Sequence, residues 1–281
     1  MSQTTISRRG LLKAGVVSLT TTAINASSSF AGWKAPGEVR VIFLVGDYYH
    51  NPITQEYTWR RVLEPTGWRL MFAQSCSFVT PEVLAGADLF VLCQYATDTQ
   101  TINLTPGWSP DMFVENRPTP PPFMTDEMED AIVENVKRGM GLLAIHCSIW
   151  NPKNKKFLTL LGVEKPIMHT KVQPALIHNL NQNHPITKGI EQFTIGDDEI
   201  FNAVMISGQY ELLFNIKGEE EPIDANGGWF REEGAGRIVA LLPGHTTGPY
   251  QEKSFKEMMW RSAHWAMKKE IPVSKVGDGY L

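Results

Sequence analysis

The sequence is poor in the covalent cross-links that stiffen small exported domains: its 281 residues include three cysteines, Cys76, Cys93 and Cys147. An odd and sparse set cannot form a disulfide framework, so the fold has to rest on a hydrophobic core. Cys76 and Cys93 flank predicted strands, where a buried thiol is the commoner state, although the two could pair in an oxidising compartment. An excess of charge of one sign is missing too. The 26 Lys and Arg against 30 Asp and Glu leave a formal net charge of −4, without the broad basic footprint that nucleic acid or an anionic membrane requires. A small neutral or mildly polar partner suits this balance better. Neither G-x-G-x-x-G nor G-x-x-x-x-G-K-[ST] occurs, so no loop is set up to cradle a nucleotide phosphate. H-E-x-x-H, paired C-x-x-C and internal repeats are absent as well.

The apolar fraction of 42% and charged fraction of 20% are those of an ordinary globular chain able to bury one large core. The N-terminus is different in character. Ser7-Arg8-Arg9-Gly10-Leu11-Leu12-Lys13 precedes a modest apolar stretch running to Ala26, and Ser29-Phe30-Ala31 offers a small-residue cleavage site. This reads as a twin-arginine signal over residues 1–31. The apolar run is too short and too rich in Thr and Ser to span a bilayer, which needs about 20 predominantly apolar residues. The expectation is therefore a periplasmic or secreted protein, with the twin-arginine translocase as its partner during export and no stable membrane insertion after signal removal. The mature domain is placed at 38–272, with a tail at 273–281.

Val39 to Val45 is a nearly continuous β-rich run of the kind buried on both faces, ended by Gly46-Asp47. Thr54 to Glu64 reads as a helix stopped by Pro65. Trp68 to Ala73 and Leu89 to Cys93 read as strands flanking a short turn-and-helix stretch from Thr80 to Gly86. Thr97 to Pro122 is a Pro-rich insertion, a length that more often serves as a lid or binding loop than as a spacer. Thr125 to Arg138 has an N-cap residue, acids in its first turn, bases in its last and Gly139 beyond, which predicts a helix. Gly141 to Ile145 is another buried strand. Alternating strands and helices predict an α/β fold with a mainly parallel sheet and helices on both faces. Further strand-like runs lie at Lys171–Ile177, Leu212–Ile216 and Arg237–Leu242. Ser254 to Lys268 closes the chain as an amphipathic helix whose Phe255, Met258, Met259, Ser262 and Trp265 face the core.

In such sheets ligands sit beyond the carboxyl ends of the strands. His50, His146 and His245 each follow a predicted strand, and three histidines from separate strands suggest a shared site. His169 lies in a loop, and Asp197-Asp198-Glu199 offers three adjacent carboxylates, at least one of which is explained by a solvated turn capping a helix near Glu199. Imidazoles with a carboxylate can bind a divalent metal such as zinc or act as an acid/base pair near neutral pH. His184, in the turn Asn183-His184-Pro185-Ile186-Thr187, reads as structural.

The order of these motifs resembles the trehalose-utilisation (ThuA-like) family. It is carried by Gly141 to His146, Leu161-Gly162 with His169, Asn183 to Ile190, Asp198-Glu199-Ile200-Phe201, Gly236 to Val239 leading to Pro243-Gly244-His245, and Trp260 to Ala266. The resemblance implies a three-layer, flavodoxin-like fold of the class I glutamine amidotransferase-like type. It implies a role with a sugar or glycoside, including a keto-sugar intermediate of disaccharide catabolism, and a metal in the cleft. Carried over by position, His146, His169, Glu199 and His245 are the candidate catalytic residues with His50 behind them, and His146, His169 and His245 the candidate metal ligands. The sequence departs from the family in its Pro-rich insertion and in Cys147-Ser148 after His146. A glutamine amidotransferase would place a nucleophilic Cys in a G-x-C-x-G elbow, followed later by His-x-Glu. His146 holds that elbow position here, and Cys147 is one residue late. The alternative to an enzyme is a non-catalytic periplasmic carbohydrate-binding module. Trp33, Trp59, Trp108, Trp150 and Trp229 could stack on sugar rings in either case, whereas Trp260 and Trp265 read as core.

Overall fold

A computed structural model describes residues 34–47, 49–95, 123–150 and 155–274. The signal segment 1–31, the insertion from Thr97 to Pro122, residues 275–281 of the tail, and Trp33 and Trp108 lie outside the described residues.

The first half follows the strand and helix alternation of the sequence. β1 (Arg40–Val45) is buried throughout. It is followed by α1 (Pro52–Leu63), which starts where Asn51 caps the Ile53 amide and Pro52 supplies a preset first turn. β2 (Arg69–Ala73), α2 (Pro81–Ala85) and β3 (Leu89–Cys93) come next. α3 (Asp126–Arg138) has Thr125 as its cap, Asp126, Glu127 and Glu129 in its first turn, and Lys137 and Arg138 in its last. That arrangement matches the helix dipole at both ends. β4 (Gly141–Ile145) and α4 (Lys155–Leu160) complete this half.

The second half is richer in strands than the sequence suggested. β5 (Val163–His169), β6 (Gln173–His178), β7 (Phe193–Asp198), β8 (Phe201–Met205), β9 (Glu211–Gly218), β10 (Asp224–Glu233) and β11 (Gly236–Leu241) lead to α5 (Thr247–Gln251) and α6 (Lys253–Ala266). No helix begins near Glu199: β7 ends at Asp198 and β8 starts at Phe201. The helix expected there is replaced by a strand connection because Ile195 and Asp198 both turn inward along β7.

One nine-stranded sheet runs β2-β1-β3-β4-β11-β10-β9-β6-β7, with β5 and β8 paired separately. The strands from β2 to β11 are parallel, and from β11 to β7 each pairs antiparallel with its neighbour. The chain therefore has the α/β class expected, with an antiparallel extension on one side. Strand alternation sorts the core into two layers. Val41, Phe43 and Val45 pack with α1 and α6, whereas Ile42 and Leu44 pack with α2, α3 and α4. Each such side chain contributes about 1.5–3 kcal/mol by leaving water. Trp59 and Trp229 are fully buried in these layers, the latter bonding the Leu161 carbonyl at 2.8 Å, so neither can stack on a ligand. Trp260 and Trp265 are core residues as expected, and all three cysteines are buried and outside any disulfide.

His184 illustrates how tightly the second half packs. Its ring stacks on Phe230 at 4.0 Å and meets the edge of Trp265 at 4.9 Å, and its Nδ1 accepts from the Ile186 amide. Burial, aided by the charge of Arg237, lowers its pKa to about 4. The unfolded chain protonates this ring near pH 6.5 and the folded one only near 4, so stability is lost as pH falls through that window. The thermal midpoint should therefore drop between pH 7 and 4.5, with His184 supplying about 1–3 kcal/mol. A His184→Phe protein should show a flatter profile, and an unchanged slope would refute the assignment.

Candidate functional site

Because β1, β3, β4 and β11 are parallel neighbours, their carboxyl ends lie along one edge of the sheet. At the end of β1, Gly46 adopts φ +74°, and a Cβ there would fall 2.3 Å from Pro52 Cβ, so only glycine lets α1 start this close. Asp47 then turns under the chain. Its Oδ1 accepts from the amides of Tyr49 at 2.9 Å and His50 at 3.1 Å and pairs with His50 Nδ1 at 2.6 Å, while Oδ2 accepts from the Tyr95 amide at 2.8 Å. Burial alone would raise this carboxyl, but the His50 contact and the amide bonds outweigh it and hold the pKa low. With Nδ1–H held by Asp47, the lone pair of His50 lies on Nε2.

β4 ends on His146, which is fully buried with φ +49°. A side-chain residue in this left-handed region carries a cost of about 1–3 kcal/mol and marks a functional constraint. The backbone thus turns sharply at the elbow position, where His146 stands, and Cys147 comes one residue later. The ring donates from Nδ1 to the Leu242 carbonyl at 2.8 Å, and its Nε2 is buried with no hydrogen-bond partner among the described residues. Cys147, one residue on, points the other way, its Sγ 3.5 Å from His50 Nδ1 and 3.7 Å from Asp47 Oδ2. Burial and the neighbouring Asp47 push its thiol pKa up, the reverse of what a nucleophile needs. Cys147→Ala should accordingly keep most of the turnover found with wild-type protein. Complete loss in a folded variant would restore the thiol as a candidate.

β11 delivers His245 through Leu242-Pro243-Gly244, and Asp198 fixes the position of that turn. Its carboxyl is fully buried and accepts from the amides of Gly244 at 2.9 Å, His245 at 2.7 Å and Thr246 at 3.3 Å. Burial raises Asp198 to about 7 against the pull of those amides. The next residue, Glu199, reaches three imidazoles. Its Oε2 lies 3.3 Å from His245 Nδ1 and 3.9 Å from His146 Nε2, and its Oε1 lies 3.6 Å from His169 Nδ1. Burial raises the Glu199 pKa, with His169 and His50 opposing it. His169 is half-exposed beneath Trp150, 5.2 Å between ring centres.

The rings of His50, His146 and His245 form a near-equilateral triangle, with centroids 5.0, 4.9 and 5.3 Å apart. Their ligand atoms all fall within 4.8 Å of one another. His245 Nδ1 and His50 Nε2 are 3.2 Å apart, close to the roughly 3.3 Å that separates two nitrogens of a tetrahedral zinc at about 2.0–2.1 Å. Burial and the surrounding imidazoles keep His146 well below its usual pKa, and burial lowers His245 to about 4, so both rings are neutral as a metal requires. The unpartnered His146 Nε2 is the observation that fits a metal best. A second group, Asp47, His50 and Cys147, shares His50, but there Asp47 and His50 Nδ1 already satisfy each other.

The profile of the Trehalose utilisation (ThuA) family matches residues 40–266. The chain belongs to the ThuA family. Solved structures agree at the level of fold. A ThuA-like protein from Bacteroides uniformis aligns with TM-score 0.60 at 16% identity over 88% of this chain and 96% of its own. One from Parabacteroides merdae gives 0.59 and 16% over 86% and 94%. A β-galactosidase from Rahnella sp. R3 gives 0.54 and 10% over 84% of this chain but 32% of its own. No curated protein matches the chain.

In this ThuA-family chain the five sequence candidates, His50, His146, His169, Glu199 and His245, come together around one cluster. Their grouping differs from the one expected: His50 stands in the three-imidazole set in place of His169, which meets the cluster through Glu199 and Phe201. Two carboxylates were missed. Asp47 follows β1 directly and Asp198 belongs to the acidic triplet, but both act mainly on backbone amides, which leave no mark in a sequence.

Proposed function

We propose that this ThuA-family protein is an enzyme acting on a sugar or glycoside, including a keto-sugar intermediate of disaccharide catabolism. His50, His146 and His245 would hold a divalent ion such as zinc, with Glu199 as the acid/base group. The observation that carries the reading is the convergence of imidazole nitrogens whose opposite Nδ1–H groups, on His50 and His146, are tied to Asp47 and the Leu242 carbonyl. Such outer bonds fix the tautomer and aim the lone pairs. A bound divalent ion supplies Lewis-acid polarisation of a substrate oxygen and lowers the pKa of water. Glu199, raised by burial and flanked by His245 and His169, can take a proton from a hydroxyl or a water and return it to a leaving oxygen.

The test measures metal content and turnover on a panel of disaccharides and their keto derivatives. The reading expects activity lost on chelation and restored by zinc, and Glu199→Gln should lower turnover by about 10²–10⁴ while keeping the metal. Turnover indifferent to chelation contradicts the metal, and tight sugar binding without turnover marks a non-catalytic binding module. The Arg8-Arg9 pair supports export through the twin-arginine route to the periplasm or beyond, so a Lys-Lys precursor should stay in the cytoplasm. Undiminished periplasmic protein would refute export.

A further inference from the structure

Next to the imidazole cluster, between the start of α1 and α5, lies a cavity of about 400 Å³. His245 is part of its wall. The remaining polar side chains around it are neutral donors and acceptors, chiefly Asn51, Thr54, Gln55, Thr246, Thr247 and Tyr250. Among the described residues no lysine, arginine, aspartate or glutamate lines it. The volume lies within the range of small-molecule sites, about 300–1,000 Å³. Such a lining discriminates against a charged ligand, which would be desolvated here without a counter-charge.

Two polar side chains in this wall stand out. Tyr250 is buried, yet its phenolic oxygen makes no well-formed hydrogen bond among the described residues, with the Gln55 side chain beside it. Gln55 is buried as well; it spends its Oε1 on the Gly46 amide at 2.7 Å and sets its side-chain amide beside the Tyr250 hydroxyl. An orphaned buried hydroxyl is unfavourable unless something else satisfies it. The two nitrogens of an imidazole point in divergent directions. With Nδ1 of His245 turned to His50 and Glu199 at 3.2 and 3.3 Å, its Nε2 points away from those two partners, and the residue is itself part of the cavity wall.

We propose that this cavity is the substrate seat, taking an uncharged, hydroxyl-rich ligand of about one ring, with the Tyr250 hydroxyl as the specificity-determining contact and His245 joining seat and cluster. The inference rests on the enzyme reading above for its chemistry, but not for its test. Tyr250 Oη and the Gln55 amide donors bond ligand hydroxyls, and a ligand oxygen placed at His245 Nε2 sits one ring away from Glu199.

The experiment uses the whole protein, with methyl α-D-glucopyranoside as the neutral probe, glucose 6-phosphate as its charged counterpart, and calorimetry as the readout. Wild type should bind the neutral probe at least about tenfold more tightly than the phosphate. Tyr250→Phe should weaken the neutral probe about tenfold while leaving the ligand-free thermal midpoint close to that of wild type, since the hydroxyl makes no well-formed hydrogen bond among the described residues. Thr54→Trp, which fills the cavity from the half-buried face of α1, should abolish binding. In both variants metal content should equal that of wild type. Equal affinity for both probes, undiminished binding in Thr54→Trp, no binding of the neutral probe to wild type, or a Tyr250→Phe protein that loses stability but not affinity would each overturn the proposal. Loss of the metal reading would show separately, as metal-free protein that still binds the probe.

Discussion

His146→Asn should abolish metal binding, taking the protein from close to one equivalent of divalent ion to a background level. Asparagine is the informative replacement because it tolerates the left-handed backbone that His146 adopts at φ +49°. His146→Ala should lose the metal too, but at a further cost in stability. The side chain is fully buried, so alanine leaves a void and removes the donor to the Leu242 carbonyl, together about 1–3 kcal/mol. An exposed polar group would be removed for about 0.5 kcal/mol or less. Elemental analysis and thermal melts on the two variants separate the effects. Retention of stoichiometric metal by His146→Asn would remove this residue from the site.

Gly46→Ala should be the most damaging small substitution near the site. The new methyl would meet Pro52 Cβ at 2.3 Å and Pro52 Cα at 2.9 Å, and the latter is backbone that cannot rotate away. The φ of +74° adds the strain of a side chain in a left-handed turn. The sum should exceed about 3 kcal/mol, a fall in melting temperature of about 10 °C for a domain of this size. Metal binding should weaken as well, because α1 and the Asp47–His50 pair follow directly from this turn. A melting temperature within about 2 °C of wild type would show that the turn relaxes freely.

The sequence was most legible where one feature decides the outcome. β1, β3, β4 and β11 are short apolar runs that only a sheet covered on both faces can bury, and α3 carries its own caps and charges. The histidines could be read because residues following parallel strands share an edge whatever lies between them. Less was legible where tertiary pairing decides. β10, with Asn226, Gly227 and Gly228 in its middle, has no strand-like run, and Phe214 packs across both glycines, where a Cβ would not fit. Trp59 and Trp229 look the same in sequence as a ligand-stacking tryptophan, and only the packing of both core layers assigns them. His50 seemed peripheral because it stands five residues beyond β1. It reaches the cluster only because Gly46 and Asp47 fold the chain back, Asp47 bonding the His50 amide and ring at once.

The identity of the ligand set is the central claim, and X-ray absorption at the zinc edge tests it most directly. Protein reconstituted with one equivalent of zinc should show three imidazole nitrogens at about 2.0–2.1 Å, falling to two in His50→Ala and unchanged in Cys147→Ala. A sulfur ligand at about 2.3 Å would place the ion with Asp47, His50 and Cys147 instead and contradict the account, as would a spectrum with oxygen ligands alone.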